Sequence, residues 1–206
     1  MPDVFYGNFD FEHELASSAY NRSKRLERLN AEVTAHLLAL VQSGDYLFYP
    51  CEPPMDFLRN AEKSGFPEVR AMTSSDAAAI GLSVVPWGWS KPVHSFAKLK
   101  KWQCDAPSSE SVARANSREF SFGCEQSQFS AIPGQAVVGS LESLESAILN
   151  ASAVWSLHPA ELSWLLKAQF SMSGRERLSC RGTCLDDSSR NWIVRRLKSG
   201  ERLFFE

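Results

Sequence analysis

The chain has 206 residues, of which 44% are hydrophobic and 22% are charged, and its formal net charge is −2 at pH 7. This length allows one large or two small domains, and the composition is that of a globular protein rather than a disordered one. A near-neutral chain lacks the broad basic field that concentrates nucleic acid. No stretch approaches the roughly 20 apolar residues of a membrane span, and the first residues are acidic where a secretory signal is basic. We therefore predict a cytoplasmic protein without nucleic-acid or membrane partners.

Cysteine and histidine spacing argues against metal or thiol chemistry. Of the five cysteines, only Cys180 and Cys184 are close in sequence, and neither a second pair nor a histidine lies at zinc-ligand spacing. The four histidines are dispersed, and none has a serine or cysteine partner nearby in sequence. We expect free thiols, no metal site and no nucleophilic triad.

The first ninety residues alternate short apolar runs with helical stretches. Strands are predicted over 4–6, 46–49, 69–72 and 84–85, and helices over 17–42, 55–63 and 76–80. Strand–helix alternation with short connections predicts a parallel, doubly wound sheet, which we assign to a domain of residues 1–105. In such sheets ligands bind beyond the carboxyl ends of the strands, near a topological switch point.

Two segments of unusual composition follow predicted strand ends: residues 7–12 and residues 86–90, which mix aromatic, glycine and polar residues. Acidic side chains in the first segment either bind a substrate amine or cap the long helix. The tryptophans of the second either line a substrate cleft or belong to the core. The candidate substrate-binding residues are Asn8, Asp10, Glu12, Trp87 and Trp89.

A Pro- and Ser-rich segment over 104–111 is typical of a linker, and the composition changes beyond it. The second region, residues 112–206, is predicted to be a small α+β unit. Its helices are predicted over 112–126, 140–149 and 186–198, and its strands over 136–138, 162–170, 178–181 and 202–206.

Lys167 is the most informative residue of the second region. It lies near the end of an otherwise apolar strand, where a buried cation requires a compensating anion. The Ser- and Gly-containing loop at 171–175 follows, and it offers backbone N–H groups, hydroxyls and the Arg175 guanidinium to phosphate oxygens. The pattern is not a P-loop, in which the glycine loop precedes a helix. The alternative is a lysine at a strand edge beside an ordinary hairpin turn.

From Asn116 onward the chain resembles the ATP-grasp superfamily. Asn116 to Phe120, with Arg118 at the centre, resembles the first phosphate-contacting basic position, where a lysine is more usual. Lys167 within LLKAQF resembles the second, strand-borne lysine, and LFFE at 203–206 resembles the hinge strand that meets the adenine. The N-terminal region, with GNFDFE and PWGW, is similar to the pre-ATP-grasp domain of bacterial members.

The resemblance implies a pre-ATP-grasp domain followed by the first ATP-grasp lobe of a carboxylate–amine or carboxylate–thiol ligase that acts through an acyl phosphate. We expect this part not to be competent for turnover without the second ATP-grasp lobe. Its cofactors are ATP and Mg²⁺, its substrate is a small carboxylate, and the Mg²⁺ ligands are expected in a second, C-terminal lobe that this sequence lacks. The unfinished lobe is a candidate surface for homodimerisation. The resemblance assigns nucleotide contacts to Arg118, Lys167, Ser171, Ser173, Gly174, Arg175 and Glu206.

The sequence is also compatible with two other functions. A non-catalytic binding module would keep the fold without turnover, which a missing second lobe would favour. A nicotinamide-dependent reductase is a weaker alternative, because no G-x-G-x-x-G follows the first strand.

Overall fold

We describe the protein from a computed structural model covering residues 1–51, 53–54, 56–76, 81–128, 131–171 and 176–206. The chain divides into two compact units, Met1–Val112 and Ala113–Glu206. Both are mixed α/β units, the first with a parallel sheet and the second with an antiparallel one. Within the described residues, the helices are too short or too polar to cross a membrane.

The first unit contains a four-stranded sheet in the order β3-β2-β1-β4, and every neighbouring pair is parallel. Because β2 and β3 lie on one side of β1 and β4 on the other, the strand order reverses at β1. The switch point lies between β1 and β4, where the segments following these two strands meet. The strands are β1 (Asp3–Tyr6), β2 (Tyr46–Tyr49), β3 (Arg70–Thr73) and β4 (Ser83–Pro86).

Alternating side chains of this sheet form two hydrophobic clusters. Val4, Phe48 and Val84 pack with Ala97 and Trp102, at the end of the helix that follows β4. Phe5 and Leu47 instead pack with apolar residues of the helical stretches that flank β2. Helices therefore cover both faces, as a doubly wound sheet requires. The helices that contribute to these clusters are α2 (Lys24–Thr34), a 3-10 helix (Ala35–Ala39), α3 (Phe57–Lys63) and α4 (Lys91–Lys100). The first unit also contains α1 (Phe11–Ala16), and α5 (Ser109–Ala115) includes the boundary between the two units at Val112.

The single helix expected over 17–42 is instead α2 and the 3-10 helix, preceded by a non-helical segment. The Ser23 hydroxyl accepts a hydrogen bond from the Leu26 N–H at 3.3 Å, so α2 begins with a capped turn. Helix α4 was not predicted; the buried Ser90 caps it through the Val93 N–H at 3.5 Å. The helix expected over 76–80 lies largely outside the described residues.

The second unit contains a four-stranded sheet in the order β5-β8-β6-β7, with every neighbouring pair antiparallel. Ser140 and Ser143 form a capping box at the start of α7, and Asp186 caps α8 by accepting from the Ser189 N–H at 2.7 Å. The strands are β5 (Ala136–Val138), β6 (Ser163–Lys167), β7 (Arg177–Arg181) and β8 (Leu203–Phe205), and the helices are α6 (Arg118–Gln128), α7 (Leu141–Trp155) and α8 (Asp187–Lys198).

One face of this second sheet forms the core of the unit. Leu166 and Phe205 point to this face and pack with Ile148 of α7 and Ile193 of α8. The helix predicted over 112–126 is two helices, α5 and α6, because the Ser117 hydroxyl accepts from the Phe120 N–H at 3.1 Å and begins a new helix.

Two glycines allow the close packing beyond the ends of β1 and β4. A Cβ on Gly7 would lie 2.2 Å from the Thr34 Oγ1, and a Cβ on Gly88 would lie 2.2 Å from the Phe11 Cγ. Neither glycine has a positive φ, so the requirement is space and not backbone conformation. The ring of Phe11 and the helix α2 can therefore pack this close to the switch point only because Gly88 and Gly7 have no side chains.

We expect Gly88→Ala to destabilise the protein by about 1–3 kcal/mol, because the new methyl group overlaps the Phe11 ring. Gly123→Ala is the matched control: Gly123 lies inside α6 with nothing within 4 Å of its added Cβ. That substitution should stabilise the helix by about 0.5–1 kcal/mol. Chemical unfolding monitored by circular dichroism measures both, and equal effects of the two substitutions would contradict the close-approach argument.

Candidate functional site

The register of β6 and β8 places Lys167 and Glu206 on the same face of the second sheet. Lys167 lies opposite Phe204, and Leu165 and Glu206 exchange backbone hydrogen bonds of 2.7 and 2.9 Å. Residues directly opposite each other in an antiparallel pair share a face, as do residues two apart along a strand. This face, which bears Leu165, Lys167, Phe204 and Glu206, is the reverse of the one that packs against α7 and α8.

Helix α6 covers this same face. The rings of Phe122 and Phe204 lie 6.3 Å apart between their centroids. A small pocket opens between the helix and β8, and it is lined by Arg118, Ser121, Phe122, Glu125, Phe204, Phe205 and Glu206. The helical members of this lining follow the i, i+3, i+4, i+7 spacing of one helix face. Arg118 and Glu206 therefore border one space.

The Lys167 ammonium forms an ion pair with the Glu206 carboxylate, and the two side chains are 20% and 28% exposed. This contact is a diagonal cross-strand pair, because Glu206 lies two residues beyond Phe204, the direct partner of Lys167. The anion that a lysine on an apolar strand requires is thus present within the chain. The sequence reasoning named both residues but did not pair them.

Arg118 begins α6 and is held by neutral groups. Its Nε donates to the Ala168 carbonyl at 2.9 Å, and one terminal nitrogen donates to the Ser171 hydroxyl at 2.9 Å. Its backbone N–H donates to the Gln169 carbonyl at 3.2 Å. Among the described residues, no carboxylate lies within ion-pair distance of this guanidinium, so its charge is not neutralised by a direct partner.

The structure thus brings together four residues predicted for nucleotide binding: Arg118, Lys167, Ser171 and Glu206. Arg118 donates a hydrogen bond to Ser171. Lys167 forms an ion pair with Glu206, and Arg118 lines the same pocket as Glu206. The predicted phosphate-loop residues Ser173, Gly174 and Arg175 lie outside the described residues.

A second charged group in this unit was not predicted. Arg196 of α8 forms ion pairs with Glu176 and with Glu201, the latter at 2.8 Å, and it stacks on the Trp192 ring at 4.5 Å. Glu201 also accepts from the Gln169 N–H at 3.1 Å. This group fixes the segment after β6 to the end of α8. Trp192, Arg196 and Glu201 are near one another in sequence, but Glu176 is 20 residues from Arg196 and Gln169 is 32 residues from Glu201, so these contacts follow only from the fold.

In the first unit, Asn8 joins the two segments at the switch point. Its side-chain amide donates to the Gly88 carbonyl at 2.7 Å and its side-chain oxygen accepts from the Gly88 N–H at 3.1 Å. Asn8 is fully buried. The donor and the acceptor of the side-chain amide thus both bond to the backbone of one residue, Gly88, which fixes the position of the loop after β4 relative to the loop after β1.

Asp10 is also fully buried and lies at the centre of a polar network. Its carboxylate accepts from the Tyr20 hydroxyl at 2.6 Å, from the Arg22 Nε at 2.8 Å and from the Asn30 amide at 2.7 Å. Burial raises the pKa of Asp10, but the hydrogen bonds from these three donors and the Arg22 charge outweigh it, so the net pKa is lowered.

Glu14 extends this network. It pairs with Arg22 at 2.7 Å and accepts a hydrogen bond from the hydroxyl of Ser90, the cap of α4. One arginine is thereby shared by two carboxylates, and the network connects α1, the segment before α2, α2 and α4. Asp10 does not cap α1 or α2 through its side chain. Sequence reasoning found Asp10 from its position after β1 but had no signal for its distant partners.

The other three candidates of the first unit differ in exposure. Trp87 is 55% exposed and lies 5.1 Å from the Phe9 ring. Trp89 is half-buried, packs against the apolar cluster of the sheet and lies 5.2 Å from the His94 ring. Glu12 is half-buried on α1. Trp87 therefore presents the largest accessible surface among them.

A cysteine–histidine contact occurs beside Trp89 but has the wrong electrostatics for a nucleophile. The Cys104 Sγ lies 3.7 Å from the His94 Nδ1. Burial and the neighbouring Asp105 carboxylate both raise the pKa of the Cys104 thiol, which disfavours the reactive thiolate. Within the described part of the chain, no three His, Cys, Asp or Glu side chains cluster closely enough to hold a metal ion.

No family model matches the chain, and no curated protein matches it. Two solved structures are similar, and both are ATP-grasp enzymes. D-cycloserine synthetase DcsG matches with a TM-score of 0.40 and 12% identity over 72% of this chain and 52% of that one. N5-carboxyaminoimidazole synthetase from Staphylococcus aureus, complexed with ADP, matches with a TM-score of 0.43 and 8% identity over 98% of this chain and 46% of that one.

The chain thus spans about half the length of each solved structure that it matches. TM-scores this low at such low identity do not establish a shared activity.

Arg22→Met should destabilise the protein by roughly 3–5 kcal/mol at neutral pH, because it leaves the buried Asp10 carboxylate without its cation. Folding lowers the pKa of Asp10, so the ionised Asp10 carboxylate stabilises the folded protein. This stabilisation is fully present at pH values above the pKa of an aspartate in the unfolded chain, which is near 3.9. That contribution is lost as the pH falls through the folded value, so the difference between wild type and variant should shrink in acid.

Arg28→Met is the matched control, since Arg28 pairs with Glu32 at 3.6 Å with both side chains largely exposed. It should cost less than about 1 kcal/mol. Guanidinium unfolding at pH 7 and near pH 3 measures both variants. A cost for Arg22→Met that does not change between these pH values would contradict the electrostatic assignment.

Proposed function

We propose that residues 112–206 form a nucleotide-binding lobe of the ATP-grasp type, within an ATP-dependent ligase that joins a carboxylate to an amine or a thiol. The observation that carries the proposal is the grouping of three residues: Lys167 and Glu206 form an ion pair on one sheet face, and Arg118, at the start of the helix that covers this face, lines a pocket together with Glu206. The family resemblance assigns phosphate contacts to the two cations and an adenine contact to the carboxylate. The side chains that this assignment requires are close together although they lie up to 88 positions apart in sequence.

The electrostatics of the lobe also favour an anionic ligand. Arg118 is half-buried, and among the described residues its side chain is held by a carbonyl and a hydroxyl and has no carboxylate partner, which leaves its charge for a ligand. A guanidinium presents fixed N–H groups that match the oxygens of a phosphate. Lys167 of β6 supplies a second cation, which is paired with Glu206.

In the proposed reaction, ATP transfers its terminal phosphoryl group to the substrate carboxylate, which gives ADP and an acyl phosphate. The nucleophile then attacks the acyl carbon and phosphate leaves. Arg118 and Lys167 would bind the phosphate oxygens and stabilise the negative charge that develops on them. Ser171 would position Arg118 through its hydroxyl. Mg²⁺ would neutralise phosphate charge when bound, and we assign no residue of this chain as its ligand.

The first unit would supply the carboxylate site beyond β1 and β4. Trp87 is accessible enough to contact a substrate, whereas Asp10 has its donors within the protein. We propose that Asn8 and Asp10 position this site and that Glu12, Trp87 and Trp89 face the substrate.

Lys167→Met and Arg118→Met should each weaken MgATP binding by about tenfold or more, because each removes a charge-assisted hydrogen bond worth roughly 1.5–3 kcal/mol. Arg202→Met is the control: Arg202 is in the same unit but pairs with Glu119 at 2.5 Å, with the two side chains 55% and 45% exposed. It should change the affinity by less than about twofold. Isothermal titration calorimetry measures the three variants against wild type.

Two results would contradict the proposal. One is the absence of measurable MgATP binding by the wild type at millimolar nucleotide. The other is an equal loss of affinity in the Arg202 control and in the Lys167 and Arg118 variants, which would indicate a nonspecific charge effect.

A further inference from the structure

We infer that Glu206 is a displaceable internal anion that occupies Lys167 until a polyphosphate replaces it. The inference rests on the proposed function but assigns Glu206 a different role from the adenine contact that the resemblance implies. The direct observation is the Lys167–Glu206 ion pair. A lysine that is ion-paired with a carboxylate binds phosphate with lower affinity, because the ion pair has to open first.

The geometry allows Glu206 to leave this position. Both side chains of the pair are partly exposed, at 20% and 28%, so each can be hydrated when the pair opens. The backbone of Glu206 stays fixed by its two hydrogen bonds to Leu165, so only the side chain has to rotate. Ion pairs buried in the core could not open in this way without a large desolvation cost.

The two cations of the site therefore differ before any ligand arrives. Lys167 is compensated by Glu206, whereas Arg118 has no carboxylate partner among the described residues and contacts only neutral groups. A ligand with a single phosphate should bind at Arg118 and leave the Lys167–Glu206 pair intact. A polyphosphate long enough to reach both cations must displace Glu206.

This difference predicts a gain of affinity on removal of the carboxylate charge. Glu206→Gln should tighten the binding of inorganic tripolyphosphate by about fivefold, the effect of removing a competing, partly exposed ion pair. Binding of inorganic orthophosphate should change by less than about twofold. Tripolyphosphate contains no adenine, so a direct contact between Glu206 and the base cannot influence the result.

The experiment is calorimetric titration of the full chain with tripolyphosphate and with orthophosphate at constant ionic strength. Glu119→Gln is the matched control, since it removes one negative charge and breaks an ion pair with Arg202 beside Arg118, but leaves Lys167 and Glu206 unchanged. It should leave the tripolyphosphate affinity within about twofold of wild type. Glu206→Asp, which keeps the charge but shortens the side chain, serves as a second variant if Glu206→Gln does not fold, and it should give a smaller tightening.

The outcomes separate this inference from the proposed function. Tighter tripolyphosphate binding by Glu206→Gln, absent in Glu119→Gln, supports the inference. If wild type binds tripolyphosphate through Lys167 but Glu206→Gln binds it equally or more weakly, Glu206 is not a competing anion and only this inference fails. If neither wild type nor Glu206→Gln binds tripolyphosphate, both the inference and the nucleotide-binding proposal fail.

Discussion

The antiparallel register between β6 and β8 is the constraint on which the candidate site depends. Leu166 and Phe205 lie opposite each other and are buried against α7 and α8, so the hydrophobic core selects this register. A slip of one residue would turn Lys167 into that core and expose Leu166. The cost of burying an unpaired ammonium makes such a slip unfavourable. The cation is therefore positioned by the apolar residues beside it in sequence, and not by its own contacts.

In the first unit, polar groups and glycines position the candidate residues at the switch point. Hydrophobic alternation forms the parallel sheet, but the switch point is shaped by polar groups and glycines. Gly7 leaves space for Thr34, and Gly88 leaves space for Phe11. Asn8 then connects the two loops by its hydrogen bonds to the backbone N–H and C=O of Gly88. A buried polar network with every partner in place specifies one arrangement of its loops, whereas apolar contacts alone tolerate several.

These differences explain what sequence reasoning could predict. Strand positions and the parallel sheet follow from local apolar periodicity, which every element carries in its own residues. Helix interruptions were missed where one serine hydroxyl begins a new helix, as at Ser23 and Ser117, because a cap is a weaker signal than a long apolar pattern. Lys167 was found from its strand, but its partner Glu206 is 39 residues away and required the strand pairing. The Asp10–Arg22 contact likewise depends on the path of the segment between α1 and α2.

The distribution of charge in the second unit distinguishes structural cations from an available one. Arg196 pairs with two carboxylates and stacks on an aromatic ring, and Arg202 pairs with Glu119, so the charges of both arginines are compensated within the fold. The Arg118 side chain donates to a carbonyl and a hydroxyl, and these neutral acceptors orient the guanidinium, which has no carboxylate partner among the described residues. Orientation without neutralisation is the arrangement that binds an anion with little reorganisation, because the donors are already aimed and no ion pair has to be broken at that residue. Lys167 differs in this respect, since its ion pair must open first. If the proposed function holds, Arg118 should therefore be the first contact of an incoming phosphate, and Lys167 the second.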